Sequence, residues 1–567
     1  MGYSYLNLIS FIGIFALCLI AWIFSEDRKY VPWRVIGSGI ALQLLLGFFV
    51  FQFPLTREIL NIFSKALDGV FAAADAGANF VFGYFMVPTP GLVPGPSQAP
   101  FIVRALPPGA TQCPPPQIPF LPGYCGTDRL SYIFAFRSLP AVIFFSALMS
   151  LLYNIGVIQV VTNFFAKVFY RTMRLSGAES LSGAANIFVG IEAAIAVKPY
   201  IPKMTRSELC AILACCFGTA ASSTLAIYVG FLKGTFPNIL GHLVSASIIA
   251  IPACFVLSKI LVPETGIPVT AGGIPVEEDL PPEEIDPEDE QAPTETVGGE
   301  PIERVSPLDA AIVGALDGVK MAVSIAAVLI LIVGLVYLLD LIFDSLASLR
   351  TFGDVVEGTP PPPEALLPLA PIIRVVGQFF NVVNLQNIEG ALFYIPTLLT
   401  GVPFDESWKA AVIIGRRLTE TAIPPYQELG RAATAGELSS RTVLIVSYAL
   451  SGFAHVASVG IFVGGTIALA PSRRKDISQL GWKALFIGTL ATLMIACVAG
   501  VYDNGNPSIF GEKKAAPPPA QVNPAASPLA SPTAPASPSA TTTPSVVPTS
   551  PAPVTTPSAA PIPPKRP

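Results

Sequence analysis

Apolar positions along this chain gather in long unbroken windows rather than in the two- or 3.6-residue periods of half-buried strands and helices. A helix needs about 20 apolar residues to cross a bilayer. Eight windows reach or approach that length: Leu8–Phe24, Val35–Phe53, Tyr132–Ile155, Leu209–Leu232, Leu240–Val262, Met321–Leu339, Tyr448–Ala470 and Ala484–Val501. They predict an all-α integral membrane fold with about eight crossings. The first window lacks a basic leading segment and a small-residue cleavage site, so it reads as a retained helix and not a signal peptide.

Two further regions, Ser176–Pro202 and Trp408–Arg431, are too polar and too interrupted by Gly and Pro for ordinary spans, yet too apolar for aqueous loops. Backbone that is not helical survives at membrane depth only where protein or a water-filled cavity satisfies it. Broken segments in corresponding places of two halves point to a transporter's binding site. The halves do correspond. After each broken region comes a related heptapeptide, Cys216-Phe217-Gly218-Thr219-Ala220-Ala221-Ser222 and Gly452-Phe453-Ala454-His455-Val456-Ala457-Ser458.

Composition excludes a soluble enzyme: 52% of the residues are hydrophobic and 13% charged, against about 25% charged in soluble domains. The formal charge of −5 is local in origin. Thirteen of the 38 acids fall between Glu264 and Glu303, a stretch with no Lys or Arg, so the rest of the chain is net basic. That stretch reads as a solvated, disordered acidic linker.

Basic residues set the orientation, because short cytoplasmic loops collect Lys and Arg. Arg28, Lys29 and Arg34, then Lys167, Arg171 and Arg174, then Lys198, Lys203 and Arg206, and finally Arg473, Arg474 and Lys475 fall on one side if both termini face out. The fourth window then runs outward and the seventh inward, as in an inverted repeat. The acidic linker is inside. Outside are a Pro-rich insertion, Val87–Asp128, and a tail of Pro, Ala, Ser and Thr that cannot bury a core.

Cys113 and Cys125 in the insertion either pair in an oxidising compartment or stand as two thiols. Cys18, Cys210, Cys215, Cys216, Cys254 and Cys497 lie in apolar windows and read as small buried hydrophobes. His242, at the outer start of the fifth window, reads as interfacial. The chain divides into N-terminal helices with an interfacial segment (1–84), the insertion (85–131), a first core repeat (132–263, hairpin 176–202), the linker (264–306), a second core repeat (307–501, hairpin 408–431) and the tail (502–567).

Residues 176–190 (SGAESLSGAANIFVG) and 198–209 (KPYIPKMTRSEL) resemble the first hairpin and following helix of the concentrative nucleoside transporters. Residues 134–140 (FAFRSLP) and 144–149 (FFSALM) upstream, and Gly464-Gly465 with 468–471 (ALAP) downstream, resemble the same family. The resemblance implies eight transmembrane helices, two re-entrant hairpins in inverted repeats, a homotrimer in the cell membrane and cation-coupled uptake. It also implies a Na⁺ site made of the Asn186 side chain, the Val189 and Ala220 carbonyls and the Thr219 hydroxyl. Neutral oxygens at an unwound tip suit a hard cation; the alternative for Asn186 is a helix cap alone.

The implied substrate residues are Glu192, Thr224, Glu420, Thr421, Phe453, His455 and Ser458. Glu192 is an intramembrane acid, functional by default, or else an ion-pair partner of Lys198. The family's Gly-Gln-Thr-Glu-Ala-Pro pattern is one residue shorter here and lacks the Gln/Thr pair that contacts the base. Its Asn-Glu in the second hairpin becomes Thr421-Ala422, so the ribose-binding carboxylate is missing. Glu420, two positions earlier, either substitutes for it or pairs with Arg416 or Arg417. Phe453 can pack on a ring. His455 stands where the family has Asn, can donate and accept as Asn does, and titrates near neutrality.

The expected function is Na⁺- or H⁺-driven symport of a nucleoside or nucleoside-like solute, with no chemistry on the substrate, no cofactor and no nucleic acid. The alternatives are a transport-inactive gate or receptor on the same scaffold, and a carrier of a non-nucleoside solute.

Overall fold

The computed structural model describes residues 4–53, 134–273 apart from 189, 221 and 233, 306–352, 368–506 and Ile509, with short pieces within 62–87, 101–105, 124–129 and 295–302. A second unit, Lys514–Pro567, lies outside the described residues.

The first half holds α1 (Tyr5–Ile23), α2 (Trp33–Phe51), α3 (Phe134–Asn154), α4 (Val157–Met173), α5 (Gly177–Ala185), a 3-10 stretch (Ile191–Lys203), α6 (Arg206–Gly218), α7 (Ser222–Leu232) and α8 (Ile239–Leu261). The second half holds α9 (Pro307–Ser348), α10 (Ala370–Val382), α11 (Leu385–Leu399), α12 (Phe404–Glu420), α13 (Ile423–Thr434), α14 (Ser440–Ala449), α15 (Val456–Leu469) and α16 (Arg474–Tyr502). Antiparallel two-stranded ribbons, β1 (Phe101–Ala105) with β2 (Tyr124–Arg129) and β3 (Glu295–Val297) with β4 (Glu300–Ile302), lie within the insertion and the linker. The membrane body is helical. Cys113 is outside the described residues, and so is the question of its pairing.

Among the described residues five helices, α1, α2, α8, α9 and α16, are long and apolar enough to cross a membrane. Two of the other expected crossings are interrupted, and the third window is a single helix. The fourth window is α6 and α7, broken at Thr219–Ala220; the seventh is α14 and α15, broken between Ala449 and Val456; α3 carries Pro140 within it.

Boundaries move wherever a first turn is polar. The seventh window begins at Ser440, not Tyr448, because Ser439 caps α14 by accepting from the Thr442 N–H. The eighth begins at Arg474, not Ala484. Hairpin two spans 404–434 rather than 408–431. Helices α4, α10 and α11 escape the pattern of long apolar windows, because each is too short or too polar to fill one.

Burial separates the helices. The apolar stretch of α8 is 89% buried and that of α16 83%, whereas that of α9 is 6% buried. An all-round apolar helix belongs inside a bundle or in lipid; α8 and α16 take the first place. Helix α9 meets α3 through Gly314 and Gly318, where a Cβ would stand 2.8 Å from the Ser146 carbonyl and 2.7 Å from the Ile143 Cα. Small residues four apart allow that approach. Helix α1 is tied to the end of α16 by Asn7, whose Nδ2 donates to the carbonyls of Gly500, Val501 and Asp503.

At the loop between α1 and α2, Glu26 pairs with Arg206 at 3.0 Å and with Lys483. Burial alone would raise the Glu26 carboxyl, but the two cations override it and hold it below the ordinary value.

His242 is a correction. It is 6% exposed, with Nδ1 2.9 Å from the Tyr448 hydroxyl and Nε2 2.9 Å from the Ile509 carbonyl, so it ties α8 to α14 and to the segment after α16. The reading of the whole linker as disordered is also corrected at its near end. Residues 264–273 fold back onto hairpin one: the Gly177 N–H donates to the Thr270 carbonyl and the Ala178 N–H to Thr270 Oγ1. These are first-turn N–H groups of α5 that have no partner within the helix.

Candidate functional site

Each half contributes a hairpin followed by an interrupted helix. In hairpin one, Ser176 and Glu179 form a capping box at the start of α5, and the helix ends at Asn186. Asn186 is fully buried; its Nδ2 donates to the Ser182 carbonyl at 3.0 Å, and its Oδ1 has no hydrogen-bond partner. A buried acceptor without a donor is costly. A helix cap alone would not leave that oxygen orphaned.

The chain then enters the 3-10 stretch, which carries Glu192 on its backbone; the Glu192 side chain and all of Val189 lie outside the described residues.

Helix α6 stops at Gly218 and Thr219 turns extended, at φ −115° and ψ 166°. Thr219 Oγ1 donates to the Cys215 carbonyl at 2.8 Å, which leaves its lone pairs available to a further partner. Thr219 and Ala220 are buried. The Thr219 carbonyl accepts from the Phe453 N–H at 3.3 Å, so the two breaks meet backbone to backbone. Only glycine permits this at position 452, where a Cβ would stand 2.8 Å from the Phe217 carbonyl and 2.9 Å from that of Gly218. The matched heptapeptides are these two breaks.

On the other side of the crossing, His455 is the cap of α15 rather than a residue within it. Its Nδ1 accepts from the Ser458 N–H at 3.2 Å, and Ser458 Oγ lies 2.9 Å from Nε2. Both residues are buried. The half-buried Phe453 has its ring centroid 6.2 Å from the His455 ring and 6.3 Å from that of Phe462. Thr224, on α7, is 8% exposed. The 3-10 stretch packs on α15 and α6, α12 packs on α15, and α13 packs on α7. These contacts gather the segments named from the sequence.

Hairpin two turns at Thr421, whose φ of +74° with ψ near 180° is a conformation that essentially only glycine adopts without strain. Glu420 is 4% exposed and is held by Arg416, whose Nε lies 2.9 and 3.0 Å from its two oxygens and whose Nη2 lies 2.8 Å from Oε2. Of the alternatives left open for Glu420, the structure contains the pair with Arg416.

Arg417 points elsewhere: fully buried, it donates to the Ala449 carbonyl at the last residue of α14 and to Thr492 Oγ1 at 2.9 Å. A cation there complements the carbonyl end of a half-helix that stops inside the protein. The rings of Tyr228 and Tyr426 stack 4.4 Å apart and join α7 to α13.

Sequence reasoning missed Arg417's capping role, the tyrosine stack and Glu389. Glu389 lies on α11 at 4% exposure and accepts from the Thr419 hydroxyl. An acid beside Ile388 and Gly390 in an amphipathic stretch was the available signal. Among the described residues no group of three or more His, Cys, Asp or Glu side chains could hold a metal ion. The oxygens around Asn186 and Thr219 are neutral.

Three family models match in succession along the chain: the N-terminal part of the Na⁺-dependent nucleoside transporters over 12–85, a nucleoside-recognition gate model over 135–235 and the C-terminal part of the same transporters over 242–500. An uncharacterized transporter of Haemophilus influenzae is 30% identical over 498 residues, which are 87% of this chain and 97% of that one. The chain belongs to the concentrative nucleoside transporter family.

Another relative, sodium/nucleoside cotransporter 1 of Rattus norvegicus, is 28% identical across 87% of this chain and 64% of its own. A solved structure of CNTnw in an inward-facing substrate-bound state is 29% identical, with a TM-score of 0.66 over 88% of this chain and 98% of that one. The protein is therefore a multi-pass membrane protein on a transporter scaffold, and its relatives are transporters rather than enzymes.

Proposed function

We propose that this family member is a cation-coupled symporter that takes up a nucleoside or nucleoside-like solute across the cell membrane. The observation that carries the reading is the orphaned, fully buried Asn186 Oδ1 at the tip of hairpin one. Together with the Thr219 hydroxyl and the carbonyls of Val189 and Ala220 it makes an oxygen set for Na⁺. The ion stabilises the tip and the crossing of the two breaks, which in turn fixes Phe453, His455 and Ser458 where the solute docks.

Glu192, Thr224 and Thr421 complete the substrate set. Glu420 joins it only when Arg416 lets go, so solute binding competes with an ion pair. The functional unit is a homotrimer with both termini outside and the acidic linker inside, and α9 supplies part of the surface through which copies meet. The gate-or-receptor alternative shares every binding residue and differs in not moving the solute.

Uptake of labelled uridine by proteoliposomes, with and without an inward Na⁺ gradient, tests the proposal. Accumulation that needs the gradient supports symport. Binding of uridine without accumulation supports the receptor, and neither binding nor uptake overturns the nucleoside assignment.

A further inference from the structure

The Glu389 carboxyl has no place in the site just described, although it is buried at 4% exposure. Its Oε1 accepts from Thr419 of α12, and its Oε2 is buried with no hydrogen-bond partner. It forms no ion pair among the described residues. The cation that acts on it, Arg416, is committed to Glu420.

The charged groups that act on Glu389 are Arg416 and Glu420 from α12 and Asp340 from α9. Helix α1 also packs on α11 but has no charged residue between Tyr5 and Ile23, and α16 reaches α11 at Leu399 through Cys497. Helices α11 and α12 are pressed together at this acid, because a Cβ on Gly415 would stand 2.8 Å from the Glu389 carbonyl. Whatever separates the first limb of hairpin two from α11 therefore uncovers Glu389.

Two carboxylates held together away from water relieve their repulsion by sharing a proton, while one arginine neutralises only one of them. Here Glu420 has the arginine and Glu389 has one hydroxyl donor and a bare oxygen.

We propose that Glu389 is a proton-binding site whose loading and release are coupled to the movement of hairpin two. The proton is taken from water onto Oε2 and returned to water when α12 moves off α11; no other bond changes. This rests on the reading of the chain as a cation-coupled symporter and assigns H⁺ a place apart from the Na⁺ oxygens at Asn186. It also accounts for a polar trio, Glu389, Thr419 and Glu420, beside the turn at Thr421-Ala422, where the family's carboxylate is missing.

The test has two arms. In infrared difference spectra of the purified full chain across a pH series, a protonated-carboxyl band should titrate in the parent and vanish in Glu389→Gln. Thr419→Val, which keeps the carboxyl and removes its donor, should move the midpoint of that band without abolishing it, and serves if Glu389→Gln does not fold. In proteoliposomes, an inward proton gradient should stimulate uridine uptake by the parent, and Glu389→Gln should take up uridine at the rate seen without the gradient.

A titrating band that is unchanged in both variants overturns the proposal. So does gradient stimulation that survives in Glu389→Gln. A band that behaves as expected in a chain that takes up no uridine upholds the proton site and removes the nucleoside reading instead.

Discussion

Hairpin one and hairpin two place their buried charges differently. The base of α5 is anchored by Glu179, which meets Lys259 of α8 at 2.6 Å, while the same ammonium lies 3.0 Å from Glu264 and donates to Ser207 Oγ. At the other end, α5 finishes in the unpartnered oxygen of Asn186. Hairpin two carries the Arg416–Glu420 pair at its tip, next to Glu389, and its turn is strained at Thr421.

An unpartnered amide oxygen is available to a cation that arrives from outside the protein. A tip with its own ion pair is already satisfied, and must break that pair before Glu420 can serve a ligand. In the proposed cycle hairpin one holds the ion, and hairpin two opens and closes.

The largest effect expected from this contrast is at the base of hairpin one. Lys259→Met leaves Glu179 buried without its cation, a loss of about 3–5 kcal/mol for a broken buried pair. The variant should show a strongly lowered unfolding temperature in detergent. Arg416→Met should lower it less, because Glu420 stands at the tip of a hairpin that opens in the proposed cycle and can then reach water. Equal losses in the two variants would erase the distinction between anchor and latch.

Next comes Thr421→Gly. Relief of the strained turn is worth about 1–3 kcal/mol, part of which returns as lost stiffness in the unfolded chain. A rise of a few degrees in unfolding temperature is expected, with slower solute release if the strain drives opening. A lowered unfolding temperature would mean that the Thr421 side chain matters more than its backbone.

The smallest effect is that of His455→Asn. Protonation of the parent's imidazole removes the acceptor that caps α15 and adds a charge near the proposed ion site, so solute affinity should fall as pH falls with equal pH on both sides. The Asn variant keeps a capping oxygen and should bind within a few-fold of the parent while losing that part of the acid effect. Superimposable pH profiles would make His455 a cap and nothing more.

The sequence carried more of hairpin one than of hairpin two, for a physical reason. The Ser176–Glu179 capping box, the end of α5 at Asn186 and the break after Gly218 are set by neighbours in the chain, so these positions are legible from the order of amino acids alone. The heptapeptide match shows where the helices break, although not that Gly452 makes their backbones cross.

Hairpin two's chemistry is tertiary. Glu389 reaches Thr419 from a helix that a 20-residue window does not register, and Arg417 serves the end of a helix beyond its own hairpin. Amphipathic helices such as α11 carry their signal in a 3.6-residue period, which a search for long apolar runs passes over. His242 escapes a reading of local pattern because its partners, Tyr448 and Ile509, come from far along the chain.

The most direct test of the central claim is the Na⁺ dependence of uridine uptake in proteoliposomes, compared between the parent and Asn186→Ala, with unfolding temperature measured on both. Loss of one oxygen from a charge-assisted site costs about 1.5–3 kcal/mol, so Asn186→Ala should need at least about tenfold more Na⁺ for the same uptake, at an unfolding temperature close to that of the parent. Identical Na⁺ dependence in the two proteins would show that the free oxygen at the tip of hairpin one holds no coupling ion.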